Sequence, residues 1–334
     1  IPVTCRSSAI RCATCRPASR SASSRTSCSP ARARRRSPPA TCRPARRSTT
    51  TCVRSRSISF HTNTSDAAAA RILPNARLTP MRFVRSLLLL IYFVLYTVPY
   101  ATACFIAFPF MRSDARYWMA AGWCKSTLWV VRWLNGIRYR IEGYENLPDG
   151  PAVLLSKHQS AWETLAFPAL MPRPLCYVFK RELLYVPFFG WALGMLHMVN
   201  INRKEGKNAF TSVIRQGKKR LSEGAWMIMF PEGTRTPVGK QGKYKTGGAR
   251  FAIETGAPVV PIAHNAGRVW PRNSFTKFPG VVTVSIGKPI PSEGLTPDAL
   301  NSQVEAWIEA EMRRIDPDSY RQAGNAGTRD AARV

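Results

Sequence analysis

From Ser86 to Met111 the chain reads SLLLLIYFVLYTVPYATACFIAFPFM, without one charged side chain. About 20 apolar residues suffice to cross a bilayer as a helix, so this run is long enough to do so, with Pro99 as a kink. Two other readings compete. A signal peptide has an apolar region of only about 7–15 residues, and no small-residue cleavage site stands out here. A buried core helix is the blander reading, against which the length and unbroken apolarity argue. Arg82 and Arg85 precede the run while Arg112 and Arg116 follow it, so the positive-inside rule does not choose an orientation. The next stretch, Tyr117–Leu134, carries Trp118, Trp123, Trp129 and Trp133. Lys125 and Arg132 are seven apart and share one helical face, the pattern of a helix lying in the membrane interface. Residues 81–135 are therefore expected to form a membrane anchor, a helical hairpin or re-entrant loop. The bilayer is the expected partner, and the rest of the chain is expected to face the cytoplasm from the inner membrane.

The net charge of +30 invites a nucleic-acid reading, but its distribution argues against one. Residues 1–80 hold 16 Arg, no Lys and a single acid, Asp66, so half of the excess sits in the first quarter of the chain. That segment is Ser, Arg, Pro, Thr and Ala with almost no aliphatic content, and cannot bury enough apolar surface to offset its ordering entropy. A transit peptide, a basic arm and sequence translated from upstream of a start at Met81 are the competing readings. The last is favoured, because Met81 is the first methionine and stands directly before the Arg-flanked apolar run. Four of the nine tryptophans cluster beside the hydrophobic run, where a nucleic-acid binder would interleave them with Lys and Arg, so no nucleic-acid partner is expected.

Six of the nine cysteines also lie in the first 80 residues; Cys104, Cys124 and Cys176 are scattered beyond. Cys12 and Cys15 form a CxxC with no second pair at zinc-ligand spacing, and no disulfide framework is apparent, which favours a reducing, cytosol-facing compartment.

From Ile137 short β-branched runs alternate with helical segments. The expected strands are RYRIEG, 152–157, 176–180, 198–202, 226–230, 258–263 and 281–287. Residues 208–223, 247–255 and 297–314 read as helices. Such alternation implies an α/β layered domain, a mostly parallel sheet flanked by helices. Its expected span is 136–316, with 317–334 as a flexible tail. In these sheets ligands gather at the C-terminal strand edges.

The informative motifs fall at those edges. KHQSAWET, Lys157–Thr164, places His158 on a turn and Glu163 five residues on, in the following helix. A carboxylate bonded to one imidazole nitrogen raises the basicity of the other, which can then take a hydroxyl proton. Taken singly the pair is a weak signal, since a histidine at a strand end is more often structural. FPEGTR, Phe230–Arg235, also follows an apolar strand. Gly233 permits a tight turn, Thr234 offers a hydroxyl, Arg235 a planar fork suited to phosphate, and Glu232 an acceptor for a polyol; a charged β-turn is the blander alternative. Arg203 is a further cation at a strand end, and VPIA, Val260–Ala263, reads as a cavity-shaping buried strand. Ser160 reads as a helix cap. The apolar stretch Leu183–Val199 reads either as a tunnel for an apolar chain or simply as core. Lys240, Lys243 and Lys245 suit anionic partners or a solvated loop.

The order HQSAWE, Arg at a strand end, FPEGTR, VPIA resembles the PlsC-type glycerolipid acyltransferases, best known as 1-acyl-sn-glycerol-3-phosphate acyltransferases, over roughly residues 83–316. The apolar anchor fits as well. The resemblance implies that His158 is catalytic, that Glu163 stands where most members have Asp, that Glu232, Gly233, Thr234 and Arg235 bind the acceptor, and that Arg203 binds phosphate. It departs from the family pattern at Lys157, where Asn is common, and at Glu163.

The implied reaction moves an acyl group from acyl-CoA or acyl-carrier-protein to the sn-2 hydroxyl of lysophosphatidic acid, giving phosphatidic acid, with no cofactor and no metal. The alternatives are another lysolipid acceptor, such as a lyso-ornithine lipid, glycerol 3-phosphate, or a lipid-binding scaffold with a dead site.

Overall fold

The computed structural model describes residues 80–186, 189–196, 198–202, 204 and 207–321. The expectations for residues 1–79, for Arg203 and for residues 322–334 lie outside the described residues.

The uncharged run builds α1 (Pro80–Ala107), followed by a 3₁₀ turn at Phe108–Phe110 and by α2 (Ser113–Asn135). Their contacts run antiparallel. Tyr100 donates its hydroxyl to the Met119 carbonyl at 2.6 Å, and Trp123 Nε1 donates to Thr97 Oγ1 at 3.2 Å. Gly122 lets the helices approach, since a Cβ there would sit 2.9 Å from the Tyr100 hydroxyl. Over Pro80–Phe110 the most apolar window is only 11% buried within the protein. Leu95 and Val98 are more than 60% exposed. An aqueous core helix would hide these side chains; this one presents them outward, as a lipid-facing helix does. Lys125, Trp129, Arg132 and Trp133 of α2 are all exposed, and Lys125 lies over the Trp118 ring at 5.5 Å.

The remaining chain forms one seven-stranded sheet: β1 (Ile137–Glu142), β2 (Val153–Ser156), β3 (Leu175–Lys180), β4 (Val199–Ile201), β5 (Trp226–Met229), β6 (Val259–His264) and β7 (Gly280–Ile286). The strand order is β1-β7-β6-β2-β5-β3-β4. Every pairing is parallel except β6 with β7. Strands in such a sheet are covered on both faces and read as continuous apolar runs. Accordingly all four residues of β2 are buried. Leu154 joins a core with Trp162, Phe167 and Leu128, beneath α2 and α3 (Trp162–Leu170). Val153 and Leu155 point to the opposite face. There they pack with Phe251, Val304 and Ile308, from α6 (Gly247–Thr255) and α7 (Pro297–Ile315). Two further helices are α4 (Phe189–Met195) and α5 (Lys207–Ser222). Helix α7 starts at Pro297 with Thr296 as its cap, the hydroxyl accepting from Ala299 N at 3.2 Å.

Residues 317–321, expected to begin a flexible tail, form a further helical turn that brings the Tyr320 hydroxyl to 3.4 Å from Glu309 Oε2. The described side chains of the 183–199 stretch are not simply core. Tyr185 and Trp191 are 74% and 53% exposed, and Trp191 meets Phe105 of α1 at a ring separation of 6.1 Å. Tyr185 and Trp191 therefore extend the apolar surface beside α1, while Met198 and Val199 pack into the interior.

Candidate active site

The chain leaves β2 at Ser156 and turns into α3 through Lys157–Ala161, at the C-terminal edge of the sheet. Glu163 lies in the first turn of α3 and is wholly buried. Its Oε1 accepts from the backbone N–H groups of Gln159 at 3.1 Å and Ser160 at 2.9 Å. The same oxygen lies 2.9 Å from His158 Nδ1. A carboxylate so held can only accept, so Nδ1 carries the proton and Nε2 keeps its lone pair. The imidazole stacks on Phe230 at 4.0 Å between centroids and retains 15% side-chain exposure, enough for a substrate hydroxyl to approach. Ser160 lies one residue before the N-cap position of α3, which is Ala161; its hydroxyl accepts from Trp162 N at 3.0 Å and donates to the Trp270 carbonyl at 2.6 Å.

The FPEGTR turn follows β5, the neighbour of β2, and closes by Gly233 N–H donating to the Phe230 carbonyl at 3.0 Å. Gly233 has φ +68°, a left-handed conformation that favours glycine. The next residue after the motif locks the two loops together. Thr236 donates its N–H to the His158 carbonyl at 2.8 Å and its hydroxyl to the same oxygen at 3.2 Å. The histidine and the cationic turn are thus adjacent. Thr234 is exposed, and Arg235 is half-buried with its Nε free of any protein acceptor. Lys245 lies against this turn, its Nζ 2.9 Å from where a Cβ on Gly233 would stand.

Glu232 sits differently from its expected place. Its side chain is 0% exposed, and both carboxylate oxygens meet internal donors: Lys157 Nζ at 2.7 Å and His158 N at 2.9 Å. A polyol outside cannot reach it; the carboxylate instead holds the backbone of the histidine. Lys157, noted in the sequence only as a departure from the family pattern, is itself fully buried and also meets Glu309 Oε1 at 2.7 Å. Breaking one partner of a buried ion pair typically costs about 3–5 kcal/mol.

Two more residues escaped the sequence reading. His264, at the end of β6, donates from Nε2 to the Lys157 carbonyl at 2.8 Å and accepts at Nδ1 from Ala266 N at 3.3 Å. Burial pulls its pKa below the ordinary histidine value. Gln159 is 1% exposed and neither atom of its amide has a protein partner. No local pattern marks Glu309 or His264, since both reach the site from strands and helices distant in the chain. Cys176 is buried and its thiol is pushed up to about 12 by desolvation, which makes it inert as a nucleophile.

A buried carboxylate, a partly exposed imidazole and a cationic turn one hydrogen bond away are the groups that general-base attack by a hydroxyl on an anionic acceptor would use. Comparison with known proteins places the chain in a family. An acyltransferase family model matches residues 138–265. The 1-acyl-sn-glycerol-3-phosphate acyltransferase of Pseudomonas aeruginosa is 46% identical over 222 residues, 65% of this chain and 86% of that enzyme. The human 1-acyl-sn-glycerol-3-phosphate acyltransferase alpha is 30% identical over 193 residues, 56% of this chain and 68% of its own. The crystal structure of the 1-acyl-sn-glycerophosphate acyltransferase PlsC from Thermotoga maritima shares the fold, with a TM-score of 0.58 at 23% identity over 70% of this chain and 97% of that one. On the strength of the Pseudomonas match across most of that enzyme's length, the chain belongs to the PlsC-type 1-acyl-sn-glycerol-3-phosphate acyltransferase family.

Proposed function

We propose that this protein forms phosphatidic acid by direct acyl transfer to lysophosphatidic acid at the His158–Glu163 pair. It is a 1-acylglycerol-3-phosphate O-acyltransferase. His158 Nε2 takes the proton of the sn-2 hydroxyl while Glu163 stabilises the imidazolium through Nδ1–H. The hydroxyl oxygen attacks the thioester carbonyl of acyl-CoA or acyl-carrier-protein, forming a C–O bond. Collapse of the tetrahedral intermediate breaks the C–S bond, and the departing thiolate recovers the proton from His158. Backbone N–H groups stabilise the oxyanion. No acyl-enzyme is required, since the described residues place neither a serine nor a cysteine in hydrogen-bond contact with the imidazole.

Arg235 supplies the fork for the acceptor's phosphate, with Thr234 and the Gly233 turn beside it; Arg203 is the second phosphate ligand in this reading. Glu232 acts through the His158 backbone and touches no substrate. Residues 81–135 anchor the enzyme to the bilayer through the exposed apolar face of α1, and in this reading residues 136–316 carry the catalysis on the cytoplasmic side. Acceptor and product are lipids, so a site beside that face draws and returns both without crossing water.

The observation that carries this reading is the hydrogen bond from Thr236 to His158, which sets the base beside the phosphate-binding turn. The test is acyl transfer by purified protein from labelled acyl-CoA to a panel of lysolipids, read by mass. His158→Ala is expected to abolish phosphatidic acid formation with the fold intact. Undiminished transfer by that variant would remove the mechanism, and preferred acylation of a lyso-ornithine lipid would reassign the acceptor.

A further inference from the structure

The side chain of Lys157 leaves the proposed base and runs inward. Its ammonium has three protons and three acceptors within reach: Glu232 Oε1 at 2.7 Å, Glu309 Oε1 at 2.7 Å and the Lys240 carbonyl at 3.4 Å. Glu309 belongs to α7, and its Oε1 also accepts from the Tyr244 hydroxyl at 2.9 Å. Glu232 spends its second oxygen on the N–H of His158 at 2.9 Å. A continuous buried path therefore runs from the C-terminal helix, through one ammonium and one carboxylate, to the peptide group of the base.

Stability alone does not favour this arrangement. One cation faces two carboxylates, all three with side chains 3% exposed or less, and buried ionic triads of this kind are often matched or bettered by apolar side chains of the same volume. What the ions add is direction. Each hydrogen bond has a fixed length and angle, and the last of them ends on the residue whose imidazole must meet the substrate. A displacement of about 1 Å in such a group costs a rate factor on the order of 100.

We propose that Lys157 and Glu309 are positioning residues for acyl transfer: the ammonium ties α7 to the carboxylate that holds the His158 backbone, so the C-terminal helix sets the placement of the base. This rests on His158 being the base, and the test separates the two.

The full chain is purified in detergent, and kcat and KM are measured with lysophosphatidic acid and acyl-CoA for Glu309→Leu, Glu309→Gln, the double variant Lys157→Met/Glu309→Leu, and His158→Ala. Thermal unfolding checks that each is folded. Glu309→Leu leaves Lys157 paired with Glu232, and the double variant replaces the ions with apolar volume, so at least one folded protein reports. In Glu309→Leu and in the double variant kcat is expected to fall about 10–100-fold with both KM values within about threefold of wild type. Glu309→Gln, whose amide oxygen still accepts from Lys157 and Tyr244, is expected to recover kcat to within about threefold. A kcat within about twofold of wild type in the folded apolar variants would overturn the proposal, as would a loss carried by KM alone. Activity retained in His158→Ala would instead remove the base assignment itself.

Discussion

Thr236 and His158, 78 residues apart in the chain, are joined by two hydrogen bonds to one oxygen: the N–H and the hydroxyl of Thr236 both reach the His158 carbonyl, at 2.8 and 3.2 Å. This junction welds the loop after β2 to the loop after β5. In the proposed mechanism this junction holds the base beside the phosphate-binding turn, as a reaction needs when one end of the acceptor is gripped and the other deprotonated.

The carboxylate of Glu163 does two jobs, accepting two backbone N–H groups and the imidazole on a single oxygen. Glu163→Gln removes the charge that stabilises the imidazolium, and kcat is expected to fall about 10²–10³-fold with the fold retained. Glu163→Asp keeps the charge and is expected to retain far more activity. Equal kcat for Gln and wild type would refute the orienting role.

Stability should respond to acid through His264. Its pKa in the folded protein lies below the unfolded value, because burial disfavours the charged ring. Between the two values the unfolded chain binds more protons, so the stability associated with a neutral His264 is full above about pH 6.5 and is lost as the pH falls through the folded value. Thermal melts across this range should show a smaller acid destabilisation for His264→Asn than for wild type. Parallel curves would rule the contribution out.

Gly233 stands at φ +68°, and a Cβ there would press on Lys245 Nζ. Gly233→Ala is expected to destabilise the protein by about 1–2 kcal/mol in denaturant unfolding. Because the turn presents Thr234 and Arg235, the KM for lysophosphatidic acid should rise more than that for the acyl donor. A variant with wild-type stability and unchanged acceptor KM would show that the turn tolerates a side chain.

Leu95 and Val98 of α1 project from the protein, 69% and 64% exposed. If they face lipid, arginine at both sites costs about 2.5–3.5 kcal/mol each for a residue near the bilayer centre. Leu95→Arg/Val98→Arg should therefore move the enzyme from the membrane pellet toward the soluble fraction on cell fractionation. Unaltered partitioning would place the membrane contact elsewhere.

Much of this molecule is written locally. The uncharged run, the seven apolar strands and the helices α5, α6 and α7 follow from periodicity, because burial on one stripe or on both faces of a strand leaves its mark on adjacent residues. The motif order sufficed for the resemblance to the acyltransferases, and the neighbourhood of His158 with Glu163 follows from a five-residue spacing across a turn. What the sequence alone could not determine is which charges face inward. Glu232 reads as an exposed acceptor on a polar turn, yet its partners are Lys157 and the His158 N–H. Glu309 reads as one more acid on an amphipathic helix, and His264 as the end of a buried strand. Their bonds to Lys157 and His158 span 74 to 152 residues, closed only when the sheet orders β6, β2 and β5 side by side and α7 packs across them. Local propensity acts over a few residues, whereas the pairing of buried charges is decided by the geometry of the whole sheet.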